Sequence, residues 1–221
     1  MNSYSAVKEK IKKAAQGKRV ELVAVSKKQT MDAIQGLYAL GQRDFGENYA
    51  QELIKKSEEA DALGMVEIRW HYIGGLQKNK IKALLPIVYC IQSVDSKNLL
   101  EDLEKKSGEL KLGRRLPVFI QVNMSEEMQK GGVAVKELRE LLECAKVCQN
   151  VEVKGLMCIP RMGDLEAYSR LKELSLDVGS LTRGELSMGM SDDFETTIQA
   201  GATMVRIGTL LFGKRPAPSS N

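Results

Sequence analysis

The chain of 221 residues contains one histidine, His71, and four cysteines, Cys90, Cys144, Cys148 and Cys158. No two of these form a Cys-x-x-Cys pair, and His71 completes no zinc set with them, which argues against a metal centre. Cys144 and Cys148 lie one helical turn apart, a spacing that suits two small packed side chains, so reduced structural thiols are expected. Aromatic residues make up only 5%, and no aromatic platform accompanies the basic cluster Lys78, Lys80 and Lys82. The cluster is therefore expected to be a solvated helix face rather than a nucleic-acid site. No apolar run approaches membrane-spanning length, and the first residues, Met1 to Lys8, lack the apolar core of a signal peptide. A cytoplasmic protein without membrane contact is the expectation. Linkers, low-complexity runs and repeats are also missing before Phe212; only Gly213 to Asn221 looks loose, so one domain over residues 1–213 and a tail over 214–221 are expected.

What remains is an ordinary globular composition, 43% hydrophobic and 28% charged, with a net charge of +4 that points to an anionic ligand or surface. Periodicity predicts a first helix over residues 4–15, followed by strand-like runs alternating with amphipathic ones. The strand candidates span residues 20–26, 43–46, 69–74, 88–92, 116–122, 151–159, 185–188 and 204–208. Helices are expected over 31–40, 47–60, 97–106, 135–147, 165–178 and 194–200, with Thr30, Ser96 and Ser191 as N-caps. Asp192 and Asp193 would then occupy the first turn of the last of these, where the helix dipole favours negative charge. Eight strands interleaved with helices fit a single-domain (β/α)8 TIM barrel with an extra N-terminal helix better than an open sheet.

In such a barrel the carboxyl ends of the strands converge on one mouth, so short separate motifs become one site. Lys27 follows the apolar run Val20 to Ser26, and partial desolvation there would favour a neutral amine able to attack a carbonyl. The alternative is one more solvated lysine. Arg206 lies between Val205 and Ile207 and needs an acceptor if buried, either a carboxylate such as Glu185 or a ligand atom. Ser187, Ser191, Gly208 and Thr209 come from the last two strand ends, where barrels often bind phosphate, although Ser191 could simply cap a helix. His71 is either a core residue bonded to its surroundings or a ligand contact.

Several segments together resemble the pyridoxal phosphate homeostasis family. They are Ala24-Val25-Ser26-Lys27, Asp44-Phe45-Gly46-Glu47-Asn48, His71-Tyr72-Ile73-Gly74-Gly75-Leu76-Gln77-Lys78-Asn79-Lys80, Gly155-Leu156-Met157, Leu186 to Asp193, and Val205 to Gly213. Members look like the N-terminal barrel of alanine racemase. The resemblance implies that Lys27 joins pyridoxal 5'-phosphate (PLP) as a Schiff base and that Arg206 faces the pyridine nitrogen. It also implies that Ser191, Gly208 and Thr209, with Ser187, hold the phosphate, while Asn48, His71 and Met157 line the pocket. Many members carry Thr or Ala after the lysine; here Lys28 stands there, expected to be solvated.

The implied function is PLP buffering or delivery and amino-acid balance without established turnover, by a monomer whose partners are PLP, PLP-dependent apoenzymes or free amino acids. The alternative is a weak PLP-dependent racemase or decarboxylase. Racemisation needs acid–base groups on both faces of the α-carbon. Lys27 serves one, and the second domain that supplies the other in alanine racemases is not expected after Gly213. A cofactor-free Schiff-base lyase and a pure interaction module are the rivals from other classes.

Overall fold

The computed structural model describes residues 3–125, 131–161 and 163–213; the expected tail at 214–221 lies outside the described residues. Eight parallel strands close into a barrel in sequence order. They are β1 (Glu21–Val25), β2 (Asp44–Glu47), β3 (Arg69–Tyr72), β4 (Val88–Val94), β5 (Leu116–Gln121), β6 (Val151–Met157), β7 (Glu185–Ser187) and β8 (Met204–Ile207). β8 pairs with β1, Val23 opposite Arg206, and that pairing closes the ring. The expected (β/α)8 barrel and its eight strands are borne out; six strands end one or two residues earlier than expected, and β2 and β4 run one and two residues further.

Helix α1 (Ser3–Ala15) precedes the barrel and buries Tyr4, Val7, Ile11 and Ala15, a stripe at helical spacing. The main ring helices are α2 (Met31–Ala39), α3 (Ala50–Ala62), α5 (Lys97–Glu109), α6 (Val135–Ala145), α7 (Glu166–Val178) and α8 (Phe194–Gln199), and two short ones, α4 (Ile81–Leu84) and α9 (Thr209–Phe212), follow β3 and β8. α1 packs on α8 and α9, and Ser3 Oγ donates to the Leu211 carbonyl at 3.1 Å. Thr30 and Ser96 cap α2 and α5 as expected, their hydroxyls accepting from the amides of Ala33 and Leu99. Ser191 does not cap α8. The chain turns through residues 191–193, and Asp193 takes the cap position instead. The basic cluster is not one helix face: Lys78 to Lys80 form a 3-10 turn and Lys82 lies in α4, with Lys78 paired to Asp102 at 2.8 Å.

Two apolar layers hold the fold. The larger lies between strands and helices, and a smaller one fills the barrel with Val23, Cys90, Phe119, Met157 and Met204. Strand contact is tight at Gly155, where an added Cβ would lie 1.7 Å from the Glu185 carbonyl oxygen. Gly155→Ala must push β6 from β7, and a loss of about 3 kcal/mol is expected in denaturant unfolding. Gly36 is the control: it sits in α2 with nothing within 4 Å of an added Cβ, so Gly36→Ala should gain about 0.5–1 kcal/mol.

Candidate functional site

Past the end of β1 the chain turns through Ser26, Lys27 and Lys28, and both neighbours of Lys27 are pinned. Ser26 Oγ donates to Glu47 Oε1 at 2.6 Å. Lys56 reaches in from α3, its Nζ 2.6 Å from the Ser26 carbonyl and 2.7 Å from both Glu47 Oε1 and Glu52 Oε1. The Lys28 amide also donates to Glu52 Oε1. Lys56 falls on the buried face of α3 with Ala50, Leu53, Ser57 and Ala60. Burial pushes the Glu47 carboxyl up, and the Lys56 ammonium opposes that shift. Lys28 adopts φ 59 with an exposed side chain, as expected of a solvated position. Lys27, half-buried, faces the mouth of the barrel.

There a cavity of about 260 Å³ is lined by Lys27, Asn48, Ser191, Arg206, Gly208 and Thr209. Val25, Ile73, Ile159 and Met190 supply apolar wall, and Gln29 and Asp192 also border it. Six of the nine residues expected from sequence therefore share one space. The Asn48 backbone is set by Gly74, where an added Cβ would lie 2.0 Å from the Asn48 carbonyl oxygen. Asn48 Oδ1 is buried and has no hydrogen-bond partner among the described residues. A buried amide oxygen left so is costly, and a polar ligand in the cavity would satisfy it.

Arg206 is 4% exposed. Its Nη1 donates to Ser187 Oγ at 2.6 Å and its Nη2 to the Cys158 carbonyl at 2.8 Å. Burial lowers its pKa, opposed by Cys158, Tyr168 and Asp193. Glu185, the expected carboxylate partner, opens β7 at the far end and lies 3.3 Å from Lys154, so that alternative is not realised. Asp193 is engaged away from the cavity, accepting from the Met190 amide at 2.7 Å and the Tyr168 hydroxyl at 2.6 Å. Burial pushes the Cys158 thiol up to about 12, and Cys90 is raised as well, so both remain protonated at neutral pH.

The other three expected residues do not line the cavity. Met157 is fully buried in the apolar filling of the barrel. Ser187 lies beneath Arg206 and gives its hydroxyl to Gln92 Oε1 at 2.7 Å. His71 sits in the interior, Nε2 3.0 Å from Asp44 Oδ1 and Nδ1 2.9 Å from Gln92 Nε2, beside a separate hollow bordered by Glu21, Lys154 and Glu185. The sequence reading missed Gln92 and the Glu47–Lys56 pair. Gln92 shares inward parity with Cys90 in β4, and Lys56 sits three residues after Leu53 on the apolar face of α3; both signals were present.

Fold and site together define a domain class: the alanine racemase N-terminal domain model matches residues 3–216. At the level of individual relatives, the chain is 41% identical to the pyridoxal phosphate homeostasis protein of Aquifex aeolicus, over 96% of each chain. It is 43% identical to the protein of the same name from Pseudomonas aeruginosa, over 91% of this chain and 88% of that one. The chain belongs to the pyridoxal phosphate homeostasis protein family. Its structure is also similar to that of PipY from Synechococcus elongatus with PLP bound, at a TM-score of 0.81 and 35% identity, covering 93% of this chain and 99% of that one.

The pinned turn predicts a large stability effect. Lys56→Met leaves Glu47 buried without its cation, and a loss of about 3–5 kcal/mol is expected from urea unfolding at neutral pH. Asp44 makes a second test. Burial pushes its carboxyl up, but hydrogen bonds from His71 and Arg69 outweigh that and hold it at about 2. A carboxyl depressed in the folded state stabilises above its unfolded pKa and loses that contribution as pH falls through the folded one. About 2 kcal/mol should therefore disappear between about pH 4 and pH 2. In Asp44→Asn that part of the acid limb should be flat.

Proposed function

We propose that the cavity binds PLP, with Lys27 as its covalent anchor, and that the protein buffers or delivers this cofactor within the cell and thereby influences amino-acid balance. The observation that carries the reading is the meeting of a lysine amine from the end of β1 and a buried guanidinium from β8 in one cavity. PLP offers a group for each, an aldehyde for the amine and a ring nitrogen for the guanidinium, and its phosphate is left for the neighbouring hydroxyls. Bound there, it supplies an aldehyde carbon that primary amines capture and release reversibly.

Lys27 provides the amine for that carbon. Arg206 only donates, so it leaves the ring nitrogen unprotonated and the ring a weak electron sink. Ser191 and Thr209 bring hydroxyls for the phosphate, and Gly208 has no side chain to hold it away from the backbone. The unpartnered Asn48 oxygen suits a polar ring substituent. Support also comes from relatives named for PLP homeostasis and from PipY with PLP bound. Free amino acids and apoenzymes fit as acceptors. Among the described residues no helix is long and apolar enough to cross a membrane. The most exposed apolar side chains, Val66, Val147 and Leu176, lie on separate segments, which suits a monomer.

The test is spectroscopic. Purified protein supplied with PLP should turn yellow, and borohydride should then fix the ligand to the peptide carrying Lys27, as read by mass spectrometry. Lys27→Ala should lose both signals. Trapping only after a carbonyl substrate is added would point to a lyase, and sustained turnover of an amino acid that Lys27→Ala abolishes would overturn the carrier reading.

A further inference from the structure

Behind Arg206 the barrel interior carries a single file of polar side chains leading away from the cavity. Arg206 donates to Ser187 Oγ at 2.6 Å, and Ser187 donates to Gln92 Oε1 at 2.7 Å. Gln92 Nε2 lies 2.9 Å from His71 Nδ1, and His71 Nε2 lies 3.0 Å from Asp44 Oδ1. Arg69 closes the file, with Nε 2.6 Å from Asp44 Oδ1 and Nη2 bonded to Oδ2. Ser187, Gln92 and His71 are each 0% exposed.

Donor chemistry gives the file one direction. A guanidinium only donates, so Ser187 accepts from Arg206 and its single proton goes to Gln92 Oε1. The amide NH2 then faces His71, whose Nδ1 accepts, and the ring proton sits on Nε2 and goes to Asp44. Reversal at any link sets two donors against each other. Turning the amide, for example, would aim two donors at Ser187 and leave its own proton without an acceptor. Buried polar networks satisfied in only one arrangement hold their members in fixed places.

We propose that Ser187, Gln92 and His71 are positioning residues for Arg206, setting the direction in which its guanidinium meets the cofactor ring. The inference rests on the reading that Arg206 faces PLP. The three side chains touch no part of the cavity themselves; they act through the arginine. Gln92 is the central link because it alone matches the acceptor needed by Ser187 to the donor needed by His71.

The experiment compares wild type with Gln92→Leu, Ser187→Ala and Gln92→Glu. PLP affinity is measured by titrating apoprotein, the pH midpoint of the bound chromophore by absorbance, and the apoprotein melting temperature separately. Gln92→Leu and Ser187→Ala each remove a hydrogen-bonding group from the file, so PLP should bind about tenfold more weakly or worse and the chromophore midpoint should move. Two variants guard against one that fails to fold. Gln92→Glu, its carboxyl kept protonated by burial, retains both an acceptor for Ser187 and a donor for His71 and should bind within about threefold of wild type.

Affinity and midpoint unchanged in Gln92→Leu and Ser187→Ala would overturn the inference while leaving PLP binding intact. Weakening that merely follows melting temperature, or a Gln92→Glu variant as weak as Gln92→Leu, would overturn it too. A wild type that takes up no PLP would overturn the functional reading and this inference together.

Discussion

Arg206 places a permanent positive charge inside a barrel whose apolar filling is Val23, Cys90, Phe119, Met157 and Met204. An ion taken out of water is tolerated only if every one of its donors finds an acceptor, and each acceptor must in turn be satisfied. That requirement propagates. The Cys158 carbonyl meets one side of the guanidinium and Ser187 the other, and Ser187 hands the requirement on through Gln92 and His71 to Asp44, where Arg69 restores contact with solvent. Ser187, Gln92 and His71 are thus one consequence of the buried Arg206 cation. The cavity receives the part of the guanidinium's surface that the protein leaves open.

The barrel was legible because its strands are short apolar runs separated by turn residues and amphipathic helices. The short α4 and α9 leave no periodic signal in the sequence, since Ile81–Leu84 and Thr209–Phe212 are too brief to show a helical period. The site was legible as a set of strands but not as a set of heights. His71, Met157 and Ser187 sit at or near the ends of their strands, as Lys27 and Arg206 do, yet only the latter two reach the cavity. Met157 pairs with Ser187 and Ser187 with Met204, two residues before Arg206, so both belong to the layer below it. Closing a barrel staggers the strands around the ring, and that stagger is a property of the closed sheet that no single strand's sequence carries.

The two ends of the site are fixed by different means, and the difference suits reversible loading. Lys27 is held through its backbone: Ser26 and Lys28 are tied to Glu47, Lys56 and Glu52, all outside the cavity, while the Lys27 side chain remains at the mouth. Arg206 is held through its side chain, from below. Neither support draws on a residue that lines the cavity, apart from the two it serves. A ligand can therefore enter or leave without dismantling the groups that orient it, as the proposed buffering and delivery of PLP would require. An enzyme that retains its cofactor through many turnovers gains from enclosure instead, because excluding water strengthens each polar contact. Here the polar contacts that hold Ser26, Lys28 and Arg206 are made between protein groups beneath and beside the cavity.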